Sequence, residues 1–109
     1  MAMVKIEQWA DIRELVQMSI GTNKGTWWAD PSFGSDLWLL RQTGKINGQT
    51  ADTLRHLILQ ATQWLVSDGL VQEITCQAER SGKNEITYEV TVIRANGPHE
   101  LLKEVWHAL

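Results

Sequence analysis

Leu54, Leu57, Ile58, Ala61, Trp64 and Leu65 recur at intervals of three and four along residues 50–68. That is one face of an amphipathic helix. Thr50 is placed to cap its start, Asp52 suits the positive end of its first turn, and Gly69 stands where a left-handed C-terminal residue is wanted. Beyond Gly69 the period drops to two. Leu70, Ile74, Cys76 and Ala78 alternate with Glu73, Thr75, Gln77 and Glu79; Ile86, Tyr88, Val90 and Val92 alternate with Glu85, Thr87, Glu89 and Thr91. Between these two strands "RSGKN" (residues 80–84) reads as a hairpin loop. One face of the pair is apolar and the other is acidic and threonine-rich, so one side of the sheet should face water.

The two ends of the chain are read from weaker patterns. Ile12, Leu15, Val16 and Ile20 match a helical stripe, while Ile12, Val16, Met18 and Ile20 match alternation with Glu14 as the exception. The adopted reading is a strand over the second half of this segment, ending at Gly21, with a tight turn in "GTNKG" (residues 21–25). Residues 37–42 read as one or two helical turns and residues 43–49 as a loop. Leu101, Leu102, Val105, Trp106 and Leu109 form a stripe that predicts a helical tail over residues 98–109, joined by a turn at "ANGP" (residues 95–98). The whole is expected to be a single α+β domain over residues 1–109. It has a small, mostly antiparallel sheet, one long amphipathic helix packed across it, and a short C-terminal helix. A sheet edge formed by residues 85–94 or by the N-terminal strand is expected to pair with another chain.

Composition narrows the partners. The net charge is −3 with no basic block, which argues against a nucleic-acid surface. No apolar run approaches the ~20 residues needed to span a membrane, and the N-terminus lacks the basic-then-apolar pattern of a secretion signal. The one cysteine, Cys76, reads as a small core residue and fits assembly in a reducing compartment. His56, His99 and His107 fall in no metal-ligand spacing, no nucleophile has a visible base, and no cofactor motif is present. Asp30 and Asp36, which flank the Trp-rich loop, and Asp68, which ends the long helix, could act as paired carboxylates, but Asp is also the ordinary residue for turns and caps, and Asp-Pro at residues 30–31 is an ordinary way to start a turn.

The unusual segment is "GTWWADPSFGSDLW" (residues 25–38), which holds three of the chain's six tryptophans in its least regular stretch. Such tryptophans either fold back to plug the open side of the sheet or serve as anchors for a partner protein. This run, the helix ending "QWLVSDG" and the hairpin together resemble the Mu-like prophage tail baseplate proteins, the gene product 46 family. Behind it stands the broader sheath-initiator wedge family, once labelled lysozyme-like. The resemblance covers about residues 15–97, and "DPSFGSDLW" (residues 30–38) is its specific part. The broader family carries a Glu-Pro-Arg motif after the long helix; here that place reads "VSDGLV" (residues 66–71), so the Mu-like group is the nearer one.

The resemblance implies a structural protein and not an enzyme. It implies a place in the inner baseplate of a contractile tail, assembled in the bacterial host cytoplasm, where it helps to build the wedge and nucleate the sheath. Other wedge subunits and the tail sheath protein would be its partners, with self-association open through the C-terminal tail or a sheet edge. Candidate partner-binding residues are Trp27, Trp28, Asp30, Pro31, Phe33, Gly34, Ser35, Trp38 and Trp106. Gly34 would allow close backbone approach and Pro31 would fix the path of the loop. The main rival reading is a carbohydrate-binding module whose exposed tryptophans stack on sugars; a cytosolic peptide-binding adaptor is a third.

Overall fold

The computed structural model of the chain describes residues 9–26, 30–42, 46, 48–94 and 99–107. Three helices precede three strands: α1 (Trp9–Gly21), α2 (Leu37–Gln42), α3 (Thr50–Ser67), β1 (Glu73–Gly82), β2 (Glu85–Ile93) and β3 (His99–His107). The strands form one antiparallel sheet in the order β1-β2-β3. α3 packs across β1 and touches α1 and α2 on its other sides. The architecture is therefore α+β, with all helices N-terminal to the sheet.

Residues 12–20 are helix and not strand. Leu15 and Val16 both turn towards the core, as do Ser19 and Ile20, and adjacent inward residues are impossible at period two. Ser19 is fully buried because its hydroxyl donates to the Leu15 carbonyl one turn back, at 2.8 Å. Met18, which the alternating pattern put inside, is 46% exposed.

α3 buries Leu54, Ile58, Ala61 and Leu65. Its start is capped by Gln49 without a side-chain hydrogen bond, and Thr50 lies inside the helix and is buried, so the expected Thr50 cap does not form. Its end behaves as its sequence requires. Gly69 adopts φ 75°, the Leu70 amide bonds to the Leu65 carbonyl, and the Gly69 amide bonds to the Val66 carbonyl.

Within the strands the alternating residues face the helices as the pattern predicts; Leu70 lies before β1, in the turn that ends α3, and its neighbour Val71 is the buried one. Cys76, Ile86, Tyr88, Val90 and Val92 are buried. β1 runs further than expected, through Gly82. A register shift lies between Arg80 and Gly82, and the Arg80 guanidinium donates to the carbonyls of Gly82 and Lys83 at 3.1 and 2.9 Å. β2 is the central strand, so it cannot be the pairing edge; the edges are β1 and β3.

The predicted C-terminal helix is also overturned. Residues 99–107 form β3, in register with β2 through pairs such as Val90 with Leu102 and Ile86 with Trp106. Leu102 and Trp106 point inward and are buried, while Leu101 and Val105 point outward at 59% and 46% exposure. A helical stripe would have put all four on one side. Glu104 occupies an inward position opposite Tyr88, where Gln17 of α1 donates to its carboxylate at 3.1 Å.

Two consequences follow for stability. Trp106→Ala should cost about 3–5 kcal/mol, the usual loss for a buried aromatic, while Leu101→Ala should stay within about 0.5 kcal/mol. Denaturant unfolding of both variants checks this, and equal costs would contradict the strand.

Burial pushes the Cys76 thiol up to about 11 from 9.0, and burial first, then the Glu104 charge, pushes Tyr88 up to about 12 from 10.0. Both groups stay neutral longer folded than unfolded. Their contribution is intact below pH 9.0 and is lost as the pH climbs through the folded values. The unfolding midpoint should fall above pH 9.0, and Cys76→Val should flatten the part of that fall that ends near pH 11.

Candidate functional site

The loop from α1 to α2 is built by one close approach of backbone to backbone. Gly34 has φ 111°, and a Cβ there would collide with the Thr22 carbonyl oxygen and press on the Lys24 amide. No residue but glycine meets both conditions without strain. The contact lets Ser35 bridge Asn23 as a short parallel pair. Its amide donates to the Thr22 carbonyl at 2.8 Å, and its carbonyl accepts the Lys24 amide at 3.0 Å.

Ser35 is 3% exposed, and its hydroxyl donates to the Ile20 carbonyl in the last turn of α1 at 2.6 Å. The same oxygen faces the Leu37 amide at 3.4 Å, at the first residue of α2. One buried serine thus satisfies the end of one helix and meets the start of the next. Lys24 and Asp36 add an ion pair at 3.9 Å beside it. Leu37 then drops into the core.

Residues 30–33 form the tip. The Asp30 carboxylate accepts from both the amide and the hydroxyl of Ser32, at 3.0 and 2.6 Å, which holds its pKa below the ordinary carboxylate value. The Phe33 amide closes the turn on the Asp30 carbonyl at 3.1 Å. Pro31 is exposed at the corner. Phe33 meets the Trp64 ring edge-to-face, with centroids 6.0 Å apart. The Trp64 indole N–H donates to the Ser19 hydroxyl at 2.8 Å, and Ser19 donates to Leu15. A single chain of contacts therefore runs from the loop through α3 into α1.

Beneath the tip lies an open groove of about 510 Å³. Leu15, Ala61 and Trp64 floor it, and Met18 and Phe33 stand at its sides. Lys24, Asp30, Gln60 and Asp68 bring polar groups to the rim. Of these, Asp30 and Phe33 are partner-binding candidates on sequence, and Leu15, Met18, Lys24, Gln60, Ala61, Trp64 and Asp68 are not. The latter come from α1, the turn after it, and α3 with its C-cap, so no single local pattern marks them.

The structure thus divides the sequence candidates. Asp30, Pro31 and Phe33 stand together at the tip. Gly34 and Ser35 are the buried joint beneath them. Trp38 is half-buried, and its indole N–H is enclosed with no hydrogen-bond partner among the described residues. It borders a separate hollow of about 190 Å³ with Tyr88, Trp106 and His107. Trp106 is 4% exposed, which makes it a core residue. Trp27 and Trp28 lie outside the described residues. Among the described residues no group of three His, Cys, Asp or Glu could hold a metal. His56 and His107 are surface groups beside Asp52 and Glu85, each at 3.6 Å. Among the described residues no helix is long and apolar enough to cross a membrane.

Gly34→Ala should destabilise by more than about 1 kcal/mol, because both φ and the Thr22 oxygen oppose it. Ser35→Ala should cost about 1–3 kcal/mol by stranding the Ile20 carbonyl. Denaturant midpoints measure both, and a Gly34→Ala variant as stable as its parent would refute the joint.

Comparison with known proteins places this geometry. No curated protein matches the chain. Among solved structures, a Geobacter sulfurreducens protein that carries the provisional name tail lysozyme shares the fold, with a TM-score of 0.70. The likeness covers 99% of this chain and 97% of that one, at 16% sequence identity. A family model described as phage protein GP46 matches residues 5–99, a span that takes in all three helices, the Gly34–Ser35 joint and the hairpin. The chain belongs to the phage protein GP46 family.

Proposed function

We propose that the protein is a structural subunit of a contractile phage or prophage-derived tail. It sits in the baseplate, helps to assemble the inner wedge, and gives the first sheath ring a surface on which to start. It is assembled in the bacterial host cytoplasm. Its partners are other wedge subunits and the tail sheath protein. The observation that carries this reading is the family match over residues 5–99. The Geobacter sulfurreducens protein of the same fold is named a tail lysozyme, and the tail half of that name agrees with this reading.

The geometry supports assembly over catalysis. The Cys76 thiol is buried and held protonated, and His56 and His107 are surface groups beside carboxylates, far from the role of a base on a nucleophile. What the chain offers instead are surfaces. β1 and β3 are paired on one side only among the described residues. An edge strand presents unpaired N–H and C=O groups to which a neighbouring chain can add a strand. β1 lines its outer face with Glu73, Thr75, Gln77 and Glu79. β3 carries Leu101 and Val105 there, with Lys103 between them opposite Glu89. β3 is the edge on which a partner strand would also bury apolar side chains.

Leu101→Lys combined with Val105→Lys should leave the melting temperature within about 2–4 °C, since both are surface changes. The same variant should fail to enter tails in a complementation assay scored by electron microscopy. Normal sheathed tails containing the variant would count against the β3 surface. Intact tails in the complete absence of the protein would overturn the assignment.

A further inference from the structure

We infer that the groove between α1, α3 and the loop tip docks a segment of a neighbouring subunit that pairs a large apolar side chain with an adjacent lysine or arginine. This rests on the proposed assembly role only in taking the partner from the tail.

The apolar half of the inference comes from shape. Met18 is among the chain's exposed large hydrophobic residues, and it stands at the side of a groove floored by Trp64 and Ala61. At about 510 Å³ the groove has room for one large side chain and its flanking backbone. Its walls are fixed before any partner arrives. Trp64 is held by the Ser19 hydroxyl at 2.8 Å, Phe33 by its ring contact with Trp64, and the loop by the Gly34–Ser35 joint. A preformed slot spares the partner the cost of ordering it.

The charged half comes from an imbalance at the rim. Asp30 is fully exposed at the tip, and its Ser32 hydrogen bonds favour the ionised form. Asp68 caps the C-terminal end of α3, where the helix dipole is already negative and the last turn holds no basic residue. Neither carboxylate is in an ion pair among the described residues. Lys24, the cation that lines the groove, is engaged by Asp36 at 3.9 Å. A cationic side chain entering beside either carboxylate would meet a complementary charge, and at Asp68 a helix terminus of complementary sign as well.

The test is an NMR titration of the whole protein, read at the Trp64 indole N–H, the Ala61 methyl and the Met18 methyl. The probes are the capped dipeptides acetyl-Leu-Arg-amide, acetyl-Leu-Gln-amide, acetyl-Leu-Glu-amide and acetyl-Gly-Arg-amide. Leu-Arg should give saturable shifts at all three reporters. It should bind about three- to fivefold tighter than Leu-Gln at low salt, the size of an exposed ion pair, and Leu-Glu should bind weakest. Gly-Arg should bind more weakly than Leu-Arg. The preference for arginine over glutamine should vanish in the Asp30→Asn/Asp68→Asn double variant, whose asparagines suit the turn and the helix C-terminus. It should also shrink as salt is raised. Equal binding of Leu-Arg and Leu-Gln, an unchanged preference in the double variant, or no shift with any dipeptide overturns the inference. Shifts at these reporters with chitotriose and not with Leu-Arg would assign the groove to sugar and overturn it too. These results leave tail entry untouched, so failure here is distinct from failure of the assembly role.

Discussion

The fold of the N-terminal half hangs on the contact between Gly34 and the backbone at Thr22 and Lys24. Two segments of main chain can lie this close only where no Cβ intervenes and their polar groups satisfy each other. Gly34 meets the first condition and Ser35 the second. From that point the loop's path is determined on both sides. Downstream, Leu37 enters the core and α2 begins; upstream, Phe33 is turned onto Trp64. The Ser35 hydroxyl takes the place water would hold at the Ile20 carbonyl, so the end of α1 can be buried under the loop. Placing Phe33 in an irregular segment makes physical sense on this frame. It is held by its ring contact with Trp64, and no regular ladder has to be broken to present it.

The sheet is tied to the helices by a second set of contacts. α3 lies across β1, while Gln17 of α1 reaches Glu104 on β3. One core therefore draws on residues from α1 to β3. The shared fold with the Geobacter sulfurreducens protein at 16% identity fits this picture. What the architecture needs is a pattern of inward positions and a joint between loop and helix, and many side chains can fill the first.

How legible each part was depended on whether its signal was local. The α3 stripe and the β1–β2 alternation are local and long, and most of the apolar residues buried there are ones the pattern marks; Thr62, fully buried with its hydroxyl donating to the Ile58 carbonyl, is not, and Leu57 and Trp64 are only half-buried. α1 was lost because Met18 completes an alternation while Ser19, a polar residue, sits in the core. Its burial depends on two hydrogen bonds, one from its own hydroxyl to Leu15 and one from an indole on another helix. The tail was lost for the opposite reason. Leu101–Leu102 and Val105–Trp106 are doublets that satisfy either period, and Glu104 at an inward position hid the alternation until Gln17 of α1 explains it. The "PSFGS" run (residues 31–35) was legible as special, but its role was not. Gly34 is legible as a point of close backbone approach, and the backbone it approaches is that of Thr22 and Lys24 in the same chain, while the Ser35 hydroxyl bonds the Ile20 carbonyl. The groove escaped notice because its walls come from three separate segments.

The joint of residues 22–24 with residues 34–36 is a finished part of the free protein and does not wait for a neighbour to order it. Amide hydrogen exchange in the isolated protein tests it most directly. The Ser35 amide, bonded to the Thr22 carbonyl, and the Lys24 amide, bonded to the Ser35 carbonyl, should exchange as slowly as amides in the middle of α3. Exchange of these two amides at the rate of an unstructured peptide, with α3 still protected, would contradict the account.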